Sequence, residues 1–104
     1  MWNEPTEKDL VALPRIYETE SIAIDEKIIH MHFFIGACDW YAAEYDGEDK
    51  FFGYVILNGD LDCAEWGYFS LEELKSIKVK GWAEIDRDLY WKTRPFGEVM
   101  KERS

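Results

Sequence analysis

Short runs of apolar and β-favouring residues alternate with polar, glycine-bearing segments along most of the chain. Four of these runs predict β-strands, over residues 28–35, 39–45, 51–57 and 65–69. Each run is rich in aromatic or β-branched residues and is too short for a helix of ordinary length. The polar segment 46–49 predicts a turn between the second and third strands, and strict alternation over 83–91 predicts a fifth strand.

The opening segment, residues 5–13, predicts a short helix. Thr6 is a favourable N-cap because its hydroxyl can accept a free backbone N–H of the first turn. Asp9 stands three residues later, where its carboxylate can accept the N–H of Thr6 in a capping box. Pro14 ends the helix, because the residue before a proline is disfavoured in the helical region.

Two further helices are predicted in the second half of the chain. Ser70 is the N-cap of the first, with Glu73 at its third helical position, and residues 96–102 form the second. Strands in succession with short turns, and helices beside them, are typical of the α+β class. We therefore expect a single α+β domain over residues 1–104, with a mainly antiparallel sheet of about five strands and two or three short helices.

Composition narrows the class of protein. The chain has 104 residues, of which 47% are hydrophobic and 16% aromatic, which favours one modest core over disorder. No apolar run reaches the ~18 residues of a membrane-spanning helix, and the first residues lack the layout of a secretion signal. Cys38 and Cys63 do not make a disulfide framework. We therefore expect a cytoplasmic protein with no part in the membrane.

The charge is strongly negative and unevenly spread. The formal net charge is -10, made up of -13 over residues 1–74 and +3 over residues 75–104. This balance argues against direct binding to nucleic-acid phosphates and favours another protein with a basic surface as the partner. The alternative is an acidic exterior that only keeps the protein soluble. The sequence does not fix the oligomeric state.

The turn at 46–49 and its flanking tyrosines form a candidate partner-binding patch. Its carboxylates are Asp46, Glu48 and Asp49, and its aromatic residues are Tyr45 and Tyr54. Tyrosine supplies a large contact area at a small cost in conformational entropy, while acids steer a basic partner.

The two histidines are a candidate metal site. His30 and His32 alternate on a predicted strand, so both imidazoles are expected on one face, with a third ligand from Cys38, Cys63 or Glu44. The alternative is an ordinary half-exposed strand face. No glycine-rich phosphate loop or dinucleotide fingerprint is present in the sequence, so we expect no cofactor and assign no catalytic residue.

Arg87 is a candidate for a structural ion pair. On the predicted strand 83–91 it shares a face with apolar residues, where a guanidinium needs a carboxylate partner. Glu44 and Glu65 on neighbouring predicted strands can supply one. The alternative is that the side chain extends along the surface and keeps its charge in water.

Four ordered blocks carry a resemblance to a known family. They are residues 40–49 (WYAAEYDGED), 51–55 (FFGYV), 65–74 (EWGYFSLEEL) and 85–90 (IDRDLY). With LPRIY at 13–17 they resemble the bacterial family catalogued as domain of unknown function 2958, over residues from about 10 to 91. The resemblance implies a small single-domain protein, often carried on plasmids, phages and other mobile elements. It implies no reaction and no catalytic residues.

Three hypotheses about function follow. The first is a small acidic, non-enzymatic protein-interaction module, and the resemblance implies that a mobile element carries it. The second is an acidic DNA mimic that inhibits a restriction or defence nuclease, which requires many carboxylates along one face. The third is a metal-dependent enzyme that uses His30 and His32.

Overall fold

Five antiparallel strands form the central sheet of the computed structural model, which describes residues 1–103. The strands in chain order are β1 (Ile28–Ile29), β2 (Met31–Ile35), β3 (Cys38–Tyr45), β4 (Lys50–Ile56), β5 (Glu65–Ser70), β6 (Lys78–Val79), β7 (Ala83–Glu84), β8 (Asp86–Arg87) and β9 (Arg94–Pro95). Their order across the central sheet is β5, β4, β3, β2, β8, while β1 pairs with β9 and β6 with β7. The helices in these residues are α1 (Glu7–Val11), α2 (Leu71–Ser76) and α3 (Phe96–Arg103), with a 3-10 turn at Ile24–Glu26. The α+β prediction is confirmed.

The predicted caps of the first two helices are present. The N–H of Asp9 donates to Thr6 Oγ1 at 3.2 Å, and the N–H of Thr6 donates to Asp9 Oδ2 at 2.8 Å. The N–H of Glu73 donates to Ser70 Oγ at 3.2 Å. Each cap satisfies backbone donors that the first turn of a helix leaves without partners, so the two short helices begin where the sequence predicts.

The two faces of the sheet are covered by different helices. The face against α1 and α2 buries Leu10, Leu13, Met31, Phe33, Trp40, Ala42, Tyr45, Phe51, Phe69, Leu71, Leu74 and Ile85. The face against α3 buries Ile29, Tyr41, Ala43, Ile56, Phe96 and Val99. Burial of apolar area on both faces is the main stabilising term for a domain of this size.

The strand predicted over 28–35 is interrupted at His30. β1 leaves the central sheet to pair with β9, while β2 pairs with β3. Ile29 packs on the α3 face and Met31 on the opposite face, although an unbroken strand would place them on the same side. The prediction that His30 and His32 alternate along one continuous strand is therefore wrong, because the strand is broken at His30.

The strand predicted over 83–91 is wrong beyond residue 87. β7 pairs with β6 and β8 pairs with β2, so this segment contributes to two different sheets. Leu89 and Tyr90 are 56% and 90% exposed, so Leu89 does not share a buried face with Ile85. The chain turns here because the N–H of Tyr90 donates to Asp88 Oδ1 at 2.9 Å. Such a bond from the backbone to a nearby side chain competes with strand pairing and favours a turn.

A β-bulge interrupts the pairing of β3 with β4. Ala42 lies opposite Gly53 and Glu44 lies opposite Phe52, so Ala43 is the extra residue. A Cβ atom built on Gly53 would lie 1.9 Å from the carbonyl oxygen of Tyr41. Only a glycine lets the two backbones approach this closely, so Gly53 and the bulge depend on each other.

None of the helices in residues 1–103 has the length and apolarity needed to cross a membrane.

We expect Gly53→Ala to destabilise the protein by about 3 kcal/mol or more, because backbone must move to make room for the methyl group. Urea unfolding measures this free energy. The matched control is Gly67→Ala on β5, where an added Cβ meets no atom within 4 Å and the expected change is at most about 0.5 kcal/mol. Equal losses in the two variants would contradict the role given to Gly53.

Candidate functional site

The bulge at Ala43 changes which side of the sheet the last residues of β3 face. Ala42 and Tyr45 both pack on the face of α1 and α2, while Ala43 packs on the face of α3. Glu44 lies directly across from Phe52 and shares its face, the side of α3. In a regular strand Glu44 would point into the α1 and α2 core, so the bulge removes a carboxylate from that core and directs it to the opposite side.

Glu44 is 3% exposed and holds the segment that precedes β1. Its Oε1 accepts the N–H of Tyr17 at 2.9 Å, and its Oε2 accepts the N–H of Thr19 at 3.2 Å and the Thr19 hydroxyl. Tyr17 has a φ of 74°, an uncommon conformation for a residue other than glycine. The carboxylate therefore fixes a locally strained loop over one end of the sheet.

Lys27 completes the polar floor under this loop. It is 7% exposed, and its Nζ donates to the carbonyl oxygen of Thr19 and lies 3.3 Å from Thr19 Oγ1. The Thr19 hydroxyl also donates to Glu44, so it joins the two buried charges. A buried charge keeps its ionised form only when hydrogen bonds and an opposite charge compensate its lost hydration.

Aromatic rings form the wall above this floor. The rings of Phe52 and Trp66 stack with centroids 5.6 Å apart, and those of Phe52 and Tyr68 lie 5.3 Å apart. A hydrogen bond with Tyr17 is the main cause that raises the pKa of Tyr68. Tyr17 on the loop and Tyr68 on β5 both line the cleft, so the two segments face each other across its opening.

The floor, the wall and the loop enclose an open cleft of about 320 Å³. Glu20 and Ile24 complete its lining beside the rings and the two buried charges. The faces of aromatic rings carry negative electrostatic potential and attract cations. The protein already uses this property nearby, since Lys50 Nζ lies 5.8 Å from the ring centroid of Tyr68. Because Lys27 is directed to Thr19, the arrangement suits a cationic side chain better than an anion.

The candidate patch at the turn 46–49 does not form one surface. Asp46 Oδ1 accepts the backbone N–H groups of Glu48, Asp49 and Lys50 at 2.8, 2.9 and 3.0 Å. Desolvation alone would raise the pKa of Asp46, but these three donors hold it below its ordinary value. Asp46 therefore stabilises the turn itself.

The other members of that patch point in different directions. Asp49 accepts the Ser70 hydroxyl and the N–H of Glu72 at 2.9 Å, so it helps to begin α2. Tyr45 is 4% exposed inside the α1 and α2 core, which corrects its predicted place at the surface. Tyr54 packs edge-on against Phe96, 4.8 Å away, on the opposite face. Glu48 remains exposed.

The predicted ion pair of Arg87 with Glu44 or Glu65 is wrong. Arg87 Nη2 lies 3.5 Å from Asp9 Oδ2, and its Nε donates to the carbonyl oxygen of Asn3 at 2.8 Å. Glu44 is committed to the loop, and Glu65 lies on β5 at the opposite edge of the sheet from β8. Hydrogen bonds from Thr6 are the main cause that lowers the pKa of Asp9, with a smaller contribution from Arg87.

His32 belongs to a polar network on the α3 face. Its ring stacks on Tyr41 with centroids 4.6 Å apart, its Nε2 lies 2.7 Å from Asp39, and its Nδ1 lies 3.5 Å from Asp88. Arg103 at the end of α3 donates to Asp39 Oδ2 at 2.9 Å. The network therefore ties α3 to β2 and β3.

Within residues 1–103 the His30 ring makes no hydrogen bond or ring contact with this network, and burial lowers the pKa of His30. Residues 1–103 contain no group of three or more His, Cys, Asp or Glu side chains arranged to hold a metal ion. The geometry does not bring Cys38 or Cys63, both free thiols, into a ligand set with the histidines.

Sequence reasoning missed the cleft. The pattern did show part of its aromatic wall, because Phe52 and Tyr54 alternate on one predicted strand and Trp66 and Tyr68 on the next. No local signal connects Lys27 to Glu44, since Thr19 links them and this link depends on the bulge and on a loop of irregular structure.

We expect Asp46→Ala to lower the free energy of unfolding by about 1–2 kcal/mol, because three backbone N–H groups lose their acceptor. Glu48→Ala removes the same charge from the same turn, but the Glu48 side chain is exposed and makes no hydrogen bond within residues 1–103, so the expected loss is below about 0.5 kcal/mol. Urea unfolding of both variants checks this difference. Similar losses would contradict the structural role of Asp46.

The stability that Asp39 contributes should depend on pH. Burial alone would raise the pKa of Asp39, but the hydrogen bond and charge of His32 and the charge of Arg103 hold it below its ordinary value. A carboxyl with a depressed folded pKa stabilises the fold above its unfolded pKa of about 3.9, and this contribution is lost as the pH falls through the folded pKa. The difference in unfolding free energy between the wild type and Asp39→Asn should therefore shrink between about pH 5 and pH 2. A difference in unfolding free energy that stays constant over this pH range would contradict the stabilising role of the Asp39 carboxylate.

Comparison with known proteins agrees with the four sequence blocks. The model of the family described as protein of unknown function (DUF2958) matches residues 7–99. This range includes the bulge, Gly53 and every residue that lines the cleft. No curated protein and no solved structure matches the chain. Because the match spans most of the 104 residues, the chain belongs to the DUF2958 family.

Proposed function

We propose that the chain is a small, non-enzymatic, cytoplasmic protein-interaction module whose aromatic cleft receives a basic side chain of a partner protein. The observation that carries this proposal is the set of rings around the cleft, Phe52, Trp66, Tyr68 and Tyr17, with Glu20 at its lining. A guanidinium or ammonium group placed over such rings gains about 0.5–2 kcal/mol, more when the site excludes water.

The charge of the chain supports the same type of partner. The net charge of -10 attracts a basic surface at long range, and Glu20 adds a carboxylate at the lining of the cleft itself. Long-range attraction raises the rate of encounter, while the rings provide a defined place for one side chain.

The two alternative functions have less support. A DNA mimic needs its carboxylates along one face, but Glu72 and Glu73 lie on α2 and Glu98 and Glu102 on α3, at opposite faces of the sheet. A metal-dependent enzyme centred on the histidines has no assembled donor set in the described residues, and both ring nitrogens of His32 already face carboxylates.

Titration with N-acetyl-arginine methylamide, followed by ¹H–¹⁵N NMR, tests the proposal. We expect chemical-shift changes at the Trp66 indole and the Tyr68 amide that saturate at about 1–10 mM, an affinity reasonable for one side chain. The citrulline analogue is a neutral isostere and should bind about tenfold more weakly, because it lacks the charge that the rings attract.

Matched variants identify the site. Trp66→Leu should weaken the arginine probe several-fold, whereas Trp82→Leu should not, because Trp82 is exposed and lies outside the cleft. Glu20→Gln should weaken binding about twofold to threefold, and Glu48→Gln, which removes the same charge at a distance, should leave it unchanged. Equal binding of arginine and citrulline, or equal effects of the two tryptophan variants, would overturn the proposal.

A further inference from the structure

β5 is an edge strand of the central sheet. Among residues 1–103, the backbone of Glu65–Ser70 pairs with β4 on one side and forms no ladder on the other. An unpaired strand edge is a template onto which another extended segment can add. The edge spans six residues, a usual length for a strand.

The direction of the free backbone groups can be deduced from one hydrogen bond. The N–H of Leu71, directly after β5, donates to the carbonyl oxygen of Asp49 at 2.8 Å, on the side of β4. Backbone groups of successive residues in an antiparallel strand point alternately to the two sides. Trp66 and Tyr68 therefore direct their N–H and C=O groups outward, away from β4.

A cleft lies on each face of this edge. The aromatic cleft takes its wall from Trp66 and Tyr68 on the α3 face. A second cleft of about 390 Å³ on the other face is lined by Glu65, Gly67 and Asp60, among others. An added Cβ on Gly67 meets no atom within 4 Å, so this cleft is open next to the strand. Side chains of a strand placed beside β5 would enter the two clefts alternately.

From this arrangement we infer that an extended basic segment of the partner protein adds to β5 as a further strand, with alternate side chains in the two clefts. The inference rests on the proposed function for its partner and adds the mode of binding. Charge complementarity decides the occupant. Glu20 lies in one cleft, and Asp60 and Glu65 lie in the other, so both favour basic side chains. A second copy of this chain would bring the same carboxylates and a further charge of -10 to the edge.

Three synthetic peptides test the inference. The first carries arginine at consecutive positions, so that both clefts can receive a basic side chain. The other two have the same sequence with backbone N-methyl groups on alternate residues, one on the odd positions and one on the even positions. Strand addition uses the N–H groups along one edge of the peptide. We therefore expect one N-methylated peptide to bind about as well as the parent and the other to bind about tenfold more weakly. Fluorescence anisotropy of labelled peptides measures the three affinities.

Amide hydrogen exchange of the protein provides the second measurement. Binding of the parent peptide should slow the exchange of the outward amides of Trp66 and Tyr68. The amide of Leu71, already bonded to Asp49, serves as the control and should change little.

Several results would overturn strand addition. The first is equal affinity of the three peptides, and the second is a complex in which the amides of Trp66 and Tyr68 stay unprotected. The third is no binding of the parent peptide at about 1 mM. The fourth is a dimer of the free chain that pairs through β5. The first two leave the proposed function intact if the arginine probe still binds the cleft and Trp66→Leu weakens it. Loss of arginine binding with retained peptide protection would instead contradict the proposed function alone.

Discussion

The close approach of two backbones at Gly53 is the constraint on which the rest of the site depends. A side chain at this position would collide with the carbonyl oxygen of Tyr41, 1.9 Å from the ideal Cβ. With glycine there, β3 can accommodate Ala43 as an additional residue, and every position after it changes face. This one irregularity buries Tyr45 against α1 and α2 and turns Glu44 to the face of α3. A regular β3 would exchange these two side chains, which would place a carboxylate in an apolar core at a large desolvation cost.

Because Glu44 faces the cleft, its carboxylate can hold the loop that precedes β1 in place through hydrogen bonds. Two backbone N–H groups and one hydroxyl of the loop converge on it, and Lys27 reaches the same hydroxyl. These bonds anchor the loop to one point of the sheet, while turn bonds within the loop, such as the N–H of Glu20 to the carbonyl oxygen of Tyr17 at 3.2 Å, satisfy others of its backbone groups. They also hold Tyr17 in its left-handed conformation, where it lines the cleft together with Tyr68. The cleft is therefore largely preformed, which lowers the entropy lost on binding.

Local features of the sequence predicted much of the fold but little of the site. The cap at Thr6, the cap at Ser70 and the antiparallel order of the main strands depend on short-range patterns, and all are present. The strand predicted over 83–91 is wrong because alternation describes a side-chain pattern and does not specify a pairing partner. The predicted surface position of Tyr45 is wrong because the bulge shifts the alternation of side chains between the two faces, and composition does not show such a shift. The signal that could have shown it is Gly53 in the middle of an otherwise bulky strand.

The acidic residues of the chain have two separate roles, and the net charge alone does not distinguish them. Part of it stabilises the fold itself, because Asp46, Asp49 and Asp39 accept hydrogen bonds that hold a turn, a helix start and the end of α3. The remainder faces water, some of it beside the free edge of β5. An exposed strand edge attracts any extended segment, including that of another copy, because backbone hydrogen bonds carry no sequence information. Carboxylates beside such an edge repel a like-charged copy and admit a basic segment, so charge supplies the selectivity that the backbone lacks.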